Sequence, residues 1–199
     1  VLALQTILSM GAAAAEVLLA QMCARTHVAP KRLEAPGPNA EELNFIFSAA
    51  AQAPDHGRIR PWRFMVVQQD QREALGQAFV SALKARDANA SPVEQQAAYE
   101  KAFRAPCLLL AVVSHAPTEP PVPVQERLIS LGCAIQNMLL MAQALSFGSG
   151  ITSGQAMNDP SIRELFQLRA DEESICYVAF GQVSTHKAQR PRPSLCPHL

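Results

Sequence analysis

The chain has 199 residues, 49% of them hydrophobic, which suits one domain with a sizeable buried core and excludes a disordered chain. Seventeen Lys and Arg balance seventeen Asp and Glu. No net field therefore favours nucleic-acid phosphates or an anionic membrane, and small neutral or mixed-charge ligands fit better.

The apolar N-terminal stretch does not read as a signal peptide, because no basic segment precedes it and Gln5 and Glu16 interrupt it. Residues 1–11 are read as an extension, with Met10 a candidate natural start. Residues 12–24 are helix formers with apolar spacing. Helical regularity is expected to fail near Thr26, where HVAPKRL brings β-branching and Pro30. Arg25, Thr26 and His27 then fall on the loop.

Asn39 followed by Glu42 reads as an N-cap with its reciprocal partner, opening a helix with Leu43, Ile46 and Phe47 at helical spacing that Pro54 ends. After PDHGRIRP, the β-branched and aromatic WRFMVVQQ reads as a strand reaching nearly to Asp70, which is expected to cap the next helix, to about Ala85. Residues 88–90 read as a polar linker, and Ser91-Pro92-Val93-Glu94 is a strong helix start. CLLLAVVS is an apolar run of strand length, and the PTEPPVP that follows must be a surface loop.

A long helix is expected from Val124 to Leu145. Its uncharged stretch, Leu128 to Phe147, is long enough to span a bilayer on length alone. Gln136, Asn137 and Gln143 argue against that, since unpaired amides are costly in hydrocarbon. A helix buried nearly all round, in the core or a dimer interface, fits better. SFGSGITSG packs three glycines around Ile151 and Thr152, so backbone approaches something closely there. Asp159-Pro160 caps a short helix, and ICYVAFGQV is the last strand. The tail from Ser184 carries Arg190 and Arg192 between prolines and has no core-forming pattern. Without repeats or βαβ spacing, residues 1–199 read as a single α+β domain.

Five cysteines are scattered without a C-x-x-C pair, and their odd number rules out a fully paired disulfide framework. A reducing cytoplasm is the natural compartment. Zinc-ligand spacing, a Walker loop, G-x-S-x-G and a Rossmann G-x-G-x-x-G are all missing. What remains are polar residues at element ends: Arg25-Thr26-His27, Asp55-His56-Gly57-Arg58 and Thr152-Ser153-Gly154. Loops between rigid elements are where ligand sites usually lie. Each has a plainer reading too: Arg25 as a solvated cation at a helix C-terminus, Asp55 as a turn residue, and Trp62, Cys133, Met138 and Met141 as core.

These pieces, taken in order, resemble the nitroreductase family, and most closely a compact bacterial branch of it. The most specific is APDHGRIRPWRF at residues 53–64, which follows a helix and enters a strand; FRAP before a strand, SLGCAIQNMLL in the long helix and SFGSGITSG come in the same order. The resemblance covers about residues 15–184. It implies a three-layer α/β/α sandwich with a mostly antiparallel sheet and an extended C-terminal tail over residues 185–199.

It also implies an FMN-dependent oxidoreductase, working as a homodimer without nucleic-acid or membrane partners. Hydride would pass from NADH or NADPH through FMN to a small acceptor such as a nitroaromatic or quinone, with no catalytic side chain required. A flavin-binding or structural dimer with little turnover is the alternative. Carried over by position, the FMN contacts are Arg25, Thr26 and His27 at the phosphate turn, Gln52 and His56 near the end of the second helix, and Ile151, Thr152 and Ser153 on the glycine segment. His27 stands where serine is usual, and Ile151-Thr152 where Trp-Arg is common. Arg190 or Arg192 of the tail is expected to supply the missing cation.

Overall fold

The apolar run at 107–114 becomes the central strand because helices cover both its faces, which is where an unbroken apolar strand is stable. The computed structural model describes residues 2–185, with side chains from residue 11 onward. The strands are β1 (Leu33–Glu34), β2 (Trp62–Val66), β3 (Cys107–Ser114), β4 (Gly148–Thr152) and β5 (Glu172–Val183). The order is β1-β5-β3-β2, with β4 also paired to β5, and every strand pairing is antiparallel.

The helices are α1 (Leu2–Ala24), α2 (Ala40–Ala50), α3 (Arg72–Arg86), α4 (Pro92–Tyr99), α5 (Val124–Ala144) and α6 (Pro160–Leu165). Alternation along β3 divides the core in two. Cys107, Leu109, Ala111 and Val113 pack with α2 and α5 through Ile46, Leu131 and Met138. Leu108, Leu110 and Val112 pack on the other side with Leu75 of α3 and Ile162 of α6. The register carries the same division onto β5, with Val178 opposite Leu109 and Tyr177 opposite Leu110. The result is the expected α/β/α sandwich.

Local chemistry sets most boundaries. Capping boxes at Asn39/Glu42 and Ser91/Glu94 open α2 and α4 as the spacing predicts, and the Asp159 side chain caps α6. Asp70 does not cap α3. The β2 strand stops at Val66, and a single turn, Gln69–Gln71, precedes the helix, closed by Gln68 and Gln71 bonding each other's backbone. Two glutamines thus take the role expected of an aspartate, because β2 ends sooner than its β-branched sequence suggests. The first helix is longer than residues 12–24, its backbone running from Leu2. The two-residue β1 was not legible. Trp62 and Met138 are core residues as expected, the Trp62 indole N–H donating to the Ser130 hydroxyl at 2.9 Å. No helix among the described residues is long and apolar enough to cross a membrane.

Arg72 ties α3 to the FRAP segment. Its buried guanidinium donates to the Ala102 carbonyl at 2.6 Å and the Pro106 carbonyl at 3.3 Å. On the far side, Glu172 is buried with its carboxylate held by both Arg63 Nε and Nη2, at 2.8 and 2.9 Å. Burial alone would raise this carboxyl, but the Arg63 hydrogen bonds, the Arg169 backbone N–H and the two guanidinium charges keep it below the usual carboxylate range.

The glycines of β4 answer to close backbone approach. A Cβ on Gly150 would sit 2.2 Å from the Val28 carbonyl oxygen and 3.0 Å from the His27 ring. Such contacts force backbone to move, so Gly150→Ala is expected to lower stability by about 3 kcal/mol, the upper range for overpacking. Urea unfolding checks this, and a loss of less than about 0.5 kcal/mol would show that the approach is not tight.

Candidate functional site

Where α1 ends, the chain does not wander off as a loop. Val28 N–H donates to the Ser149 carbonyl at 2.9 Å, and His27 makes an isolated parallel bridge with Ser149. The turn Arg25-Thr26-His27 is therefore fastened along β4, and Gly150 leaves room for the His27 ring. Two segments separated by more than a hundred positions in sequence, each carrying residues predicted for the site, run side by side here, with Ile151 exposed. Arg25 is half-buried. Partial burial, then the charges of Arg25 and Arg32, hold the His27 imidazole below its ordinary value of 6.5. At neutral pH it is uncharged, and its ring can donate one hydrogen bond at most.

Beyond the end of β4 lies a cavity of about 660 Å³, within the range of small-molecule sites. Thr152, Ser153 and Gly154 form one wall, and Ala29, Pro30 and Lys31 continue it from the turn. Helices α3 and α4 with the turn Glu100–Phe103 close the opposite side, presenting Phe79, Leu83 and Ala98. The floor includes Tyr177, which is only 4% exposed and whose hydroxyl has no hydrogen-bond partner among the described residues. Burial pushes that phenol upward, so it stays protonated and able to donate.

Gln52 and His56 are elsewhere in the single chain. Gln52 lines a smaller cavity of about 320 Å³ with Asp55, Arg58 and Arg60, next to α2. His56 Nδ1 lies 2.5 Å from Glu126 at the start of α5. Asp55 has the turn role expected of it, its carboxylate accepting from the Arg60 backbone N–H at 2.7 Å. Arg190 lies outside the described residues.

Sequence reading missed Lys31, Arg86, Lys101 and Arg104 at the large cavity, and Glu126 beside His56. Cations on helix surfaces look like ordinary solvated charge. Only the packing of α3 and α4 toward the end of β4 makes them neighbours. Tyr177 looked like one more strand aromatic, and nothing in ICYVAFGQV marks its hydroxyl as unpartnered.

The model of the nitroreductase family matches residues 29–182. The chain belongs to the nitroreductase family. A Haemophilus influenzae protein named "Putative NAD(P)H nitroreductase" is 35% identical over 165 residues, covering 83% of this chain and 88% of that one. Among solved structures, a nitroreductase-like family protein from Bacillus cereus superposes with a TM-score of 0.73 at 16% identity, covering 87% of this chain and 89% of that one. A nitroreductase from Bacteroides fragilis with bound FMN gives 0.70 at 20% identity, covering 91% and 96%. At these identities the structures speak to the fold, which is nitroreductase-like. The matched region begins after Arg25-Thr26-His27, so that turn rests on the geometry described above.

Proposed function

We propose that this nitroreductase-family chain is an FMN-dependent oxidoreductase that passes hydride from NADH or NADPH to a small organic acceptor such as a nitroaromatic or quinone. The observation that carries the reading is the fastening of Arg25-Thr26-His27 onto β4, beside a cavity walled by Thr152 and Ser153. A turn that carries Arg25 and a cavity large enough for a ring system thereby share one strand, which supports the reading of a phosphorylated planar cofactor. FMN, when bound, supplies the two-electron carrier, so the chain needs no acid or base of its own.

Arg25 is suited to grip the phosphate, since a guanidinium binds oxyanions in a two-pronged geometry and stays charged at any working pH. Neutral His27 adds one ring hydrogen bond. Ile151, Thr152 and Ser153 are assigned to the ring, Thr152 and Ser153 as part of the cavity wall. Gln52 and His56 do not face the large cavity of their own chain, so they serve the site only across an interface, as Gln52 of the partner subunit and His56 of the partner subunit. Support for a homodimer comes from an uncovered apolar face: Val17, Leu18 and Leu19 on α1, Phe45 on α2, and Leu128 and Ile129 on α5 are all exposed in one chain. Isolated monomers rarely leave so much apolar surface in contact with water.

The purified protein is expected to be yellow, with a flavin spectrum that bleaches when NADPH is added without air. Colourless protein that ignores added FMN would overturn the proposal. A flavin spectrum that neither NADPH nor NADH bleaches would leave a binding protein without turnover.

A further inference from the structure

The walls of the large cavity carry an excess of cations. The whole sequence is neutral, yet Lys31, Arg86, Lys101 and Arg104 line this one space against a single acid, Glu94. Glu94 is already engaged: its carboxylate accepts from the Ser91 backbone N–H at 2.8 Å and the Ser91 hydroxyl at 2.7 Å, capping α4. Lys31, Arg86 and Lys101 make no ion pair with any described residue, and Arg104 reaches only the Ala97 carbonyl, at 3.4 Å. The cations come from separate elements, the turn Pro30–Arg32, the end of α3 and the turn Glu100–Phe103, so a single helix C-terminus does not account for them.

Between the cations the surface is apolar, with Phe79, Leu83, Leu108 and Met157. Under them sits the Tyr177 hydroxyl, buried and unpartnered among the described residues. A buried hydroxyl left unsatisfied is costly, a penalty that a ligand atom accepting its hydrogen bond would remove. The chain's own tail is a poor occupant. Residues 186–199 contain His186, Lys187, Arg190 and Arg192 and no acid, so they would bring cations to cations.

We propose that the part of this cavity between α3 and α4 binds, as the second substrate, an aromatic carboxylate that also bears a nitro or quinone group: that group takes the two electrons and two protons (nitro to nitroso with release of water, or quinone to hydroquinone), while the unreacted carboxylate lies at Arg86 and Lys101, the apolar body on Phe79 and Leu83, and an acceptor atom on the Tyr177 hydroxyl. The inference rests on the flavin reading above and sharpens it, naming the charge class of the acceptor. Arg86 and Lys101 act here as specificity determinants. Arg25 and His27, at the other end of β4, remain the phosphate end.

Benzoate and its uncharged isostere benzamide separate the possibilities. Their dissociation constants are measured by calorimetry on FMN-loaded protein, and the affinity for FMN is titrated separately by flavin fluorescence. Benzoate is expected to bind at least tenfold more tightly than benzamide, a difference of about 1.4 kcal/mol. In the double variant Arg86→Ala/Lys101→Ala this preference is expected to vanish while the FMN affinity is kept; both side chains are exposed, so the fold is not at risk. Tyr177→Phe is expected to weaken both probes about fivefold. Equal affinity of the wild type for the two probes overturns the inference. So does a double variant that loses FMN and keeps its benzoate preference, because the cations then belong to the cofactor. Protein that takes up no FMN but still prefers benzoate defeats the flavin reading and leaves the anion site standing.

Discussion

Replacing Ile129 by aspartate is expected to give a protein that sediments as a monomer at micromolar concentration and has lost FMN. Ile129 is 65% exposed on α5 in the single chain, amid the apolar face formed by α1, α2 and α5. Burying such a side chain contributes about 2 kcal/mol. In a two-fold dimer the change counts twice, and association weakens by about three orders of magnitude before the cost of burying two carboxylates is added. FMN goes with the dimer because Gln52 and His56 lie away from the large cavity of their own chain. Sedimentation velocity and flavin absorbance of the same sample check both parts. A monomer that keeps its flavin would contradict a site shared between subunits, and an unaltered dimer would place the interface on another face.

The second large effect falls on the turn after α1, proposed to hold the phosphate. Arg25→Ala is expected to weaken FMN binding about thirtyfold, as charge-assisted hydrogen bonds to a phosphate contribute roughly 1.5–3 kcal/mol. Arg25→Lys keeps the charge but not the fork, and a loss of about fivefold is expected. Titration of apoprotein with FMN, followed by fluorescence quenching, gives both values. The competing explanation, a solvated cation at the C-terminus of α1, predicts a stability change of under about 1 kcal/mol and no change in FMN affinity. That pair of results would remove Arg25 from the site.

The site was only partly legible for a reason that individual residues make plain. Arg25 and Thr152 could be picked out because each sits at an element end whose local chemistry is strong: a helix that fails before a proline, and a strand rich in glycine. That the turn after α1 lies alongside β4 is a fact of pairing, carried by Val28 and His27 on Ser149. The glycine run announced a close approach without saying what approaches, and Gly150 shows it to be the Val28 carbonyl and the His27 ring. Arg86 and Lys101 gave no signal, since an exposed cation on one helix looks the same whether or not another helix brings a second beside it.

By itself the sequence determined what depends on neighbours in the chain. The capping boxes at Asn39 and Ser91 fixed two helix starts, the apolar run at 107–114 marked a strand, and APDHGRIRPWRF set a turn between α2 and β2. Tertiary structure decided where β2 stops, which strand holds the Arg25 turn, that Gln52 and His56 lie away from the large cavity, and that the Tyr177 hydroxyl is buried without a partner among the described residues. The physical reason is one of range. Caps and periodicity are satisfied within a few residues, whereas cavities, strand pairing and the clustering of charge arise only when distant segments pack together.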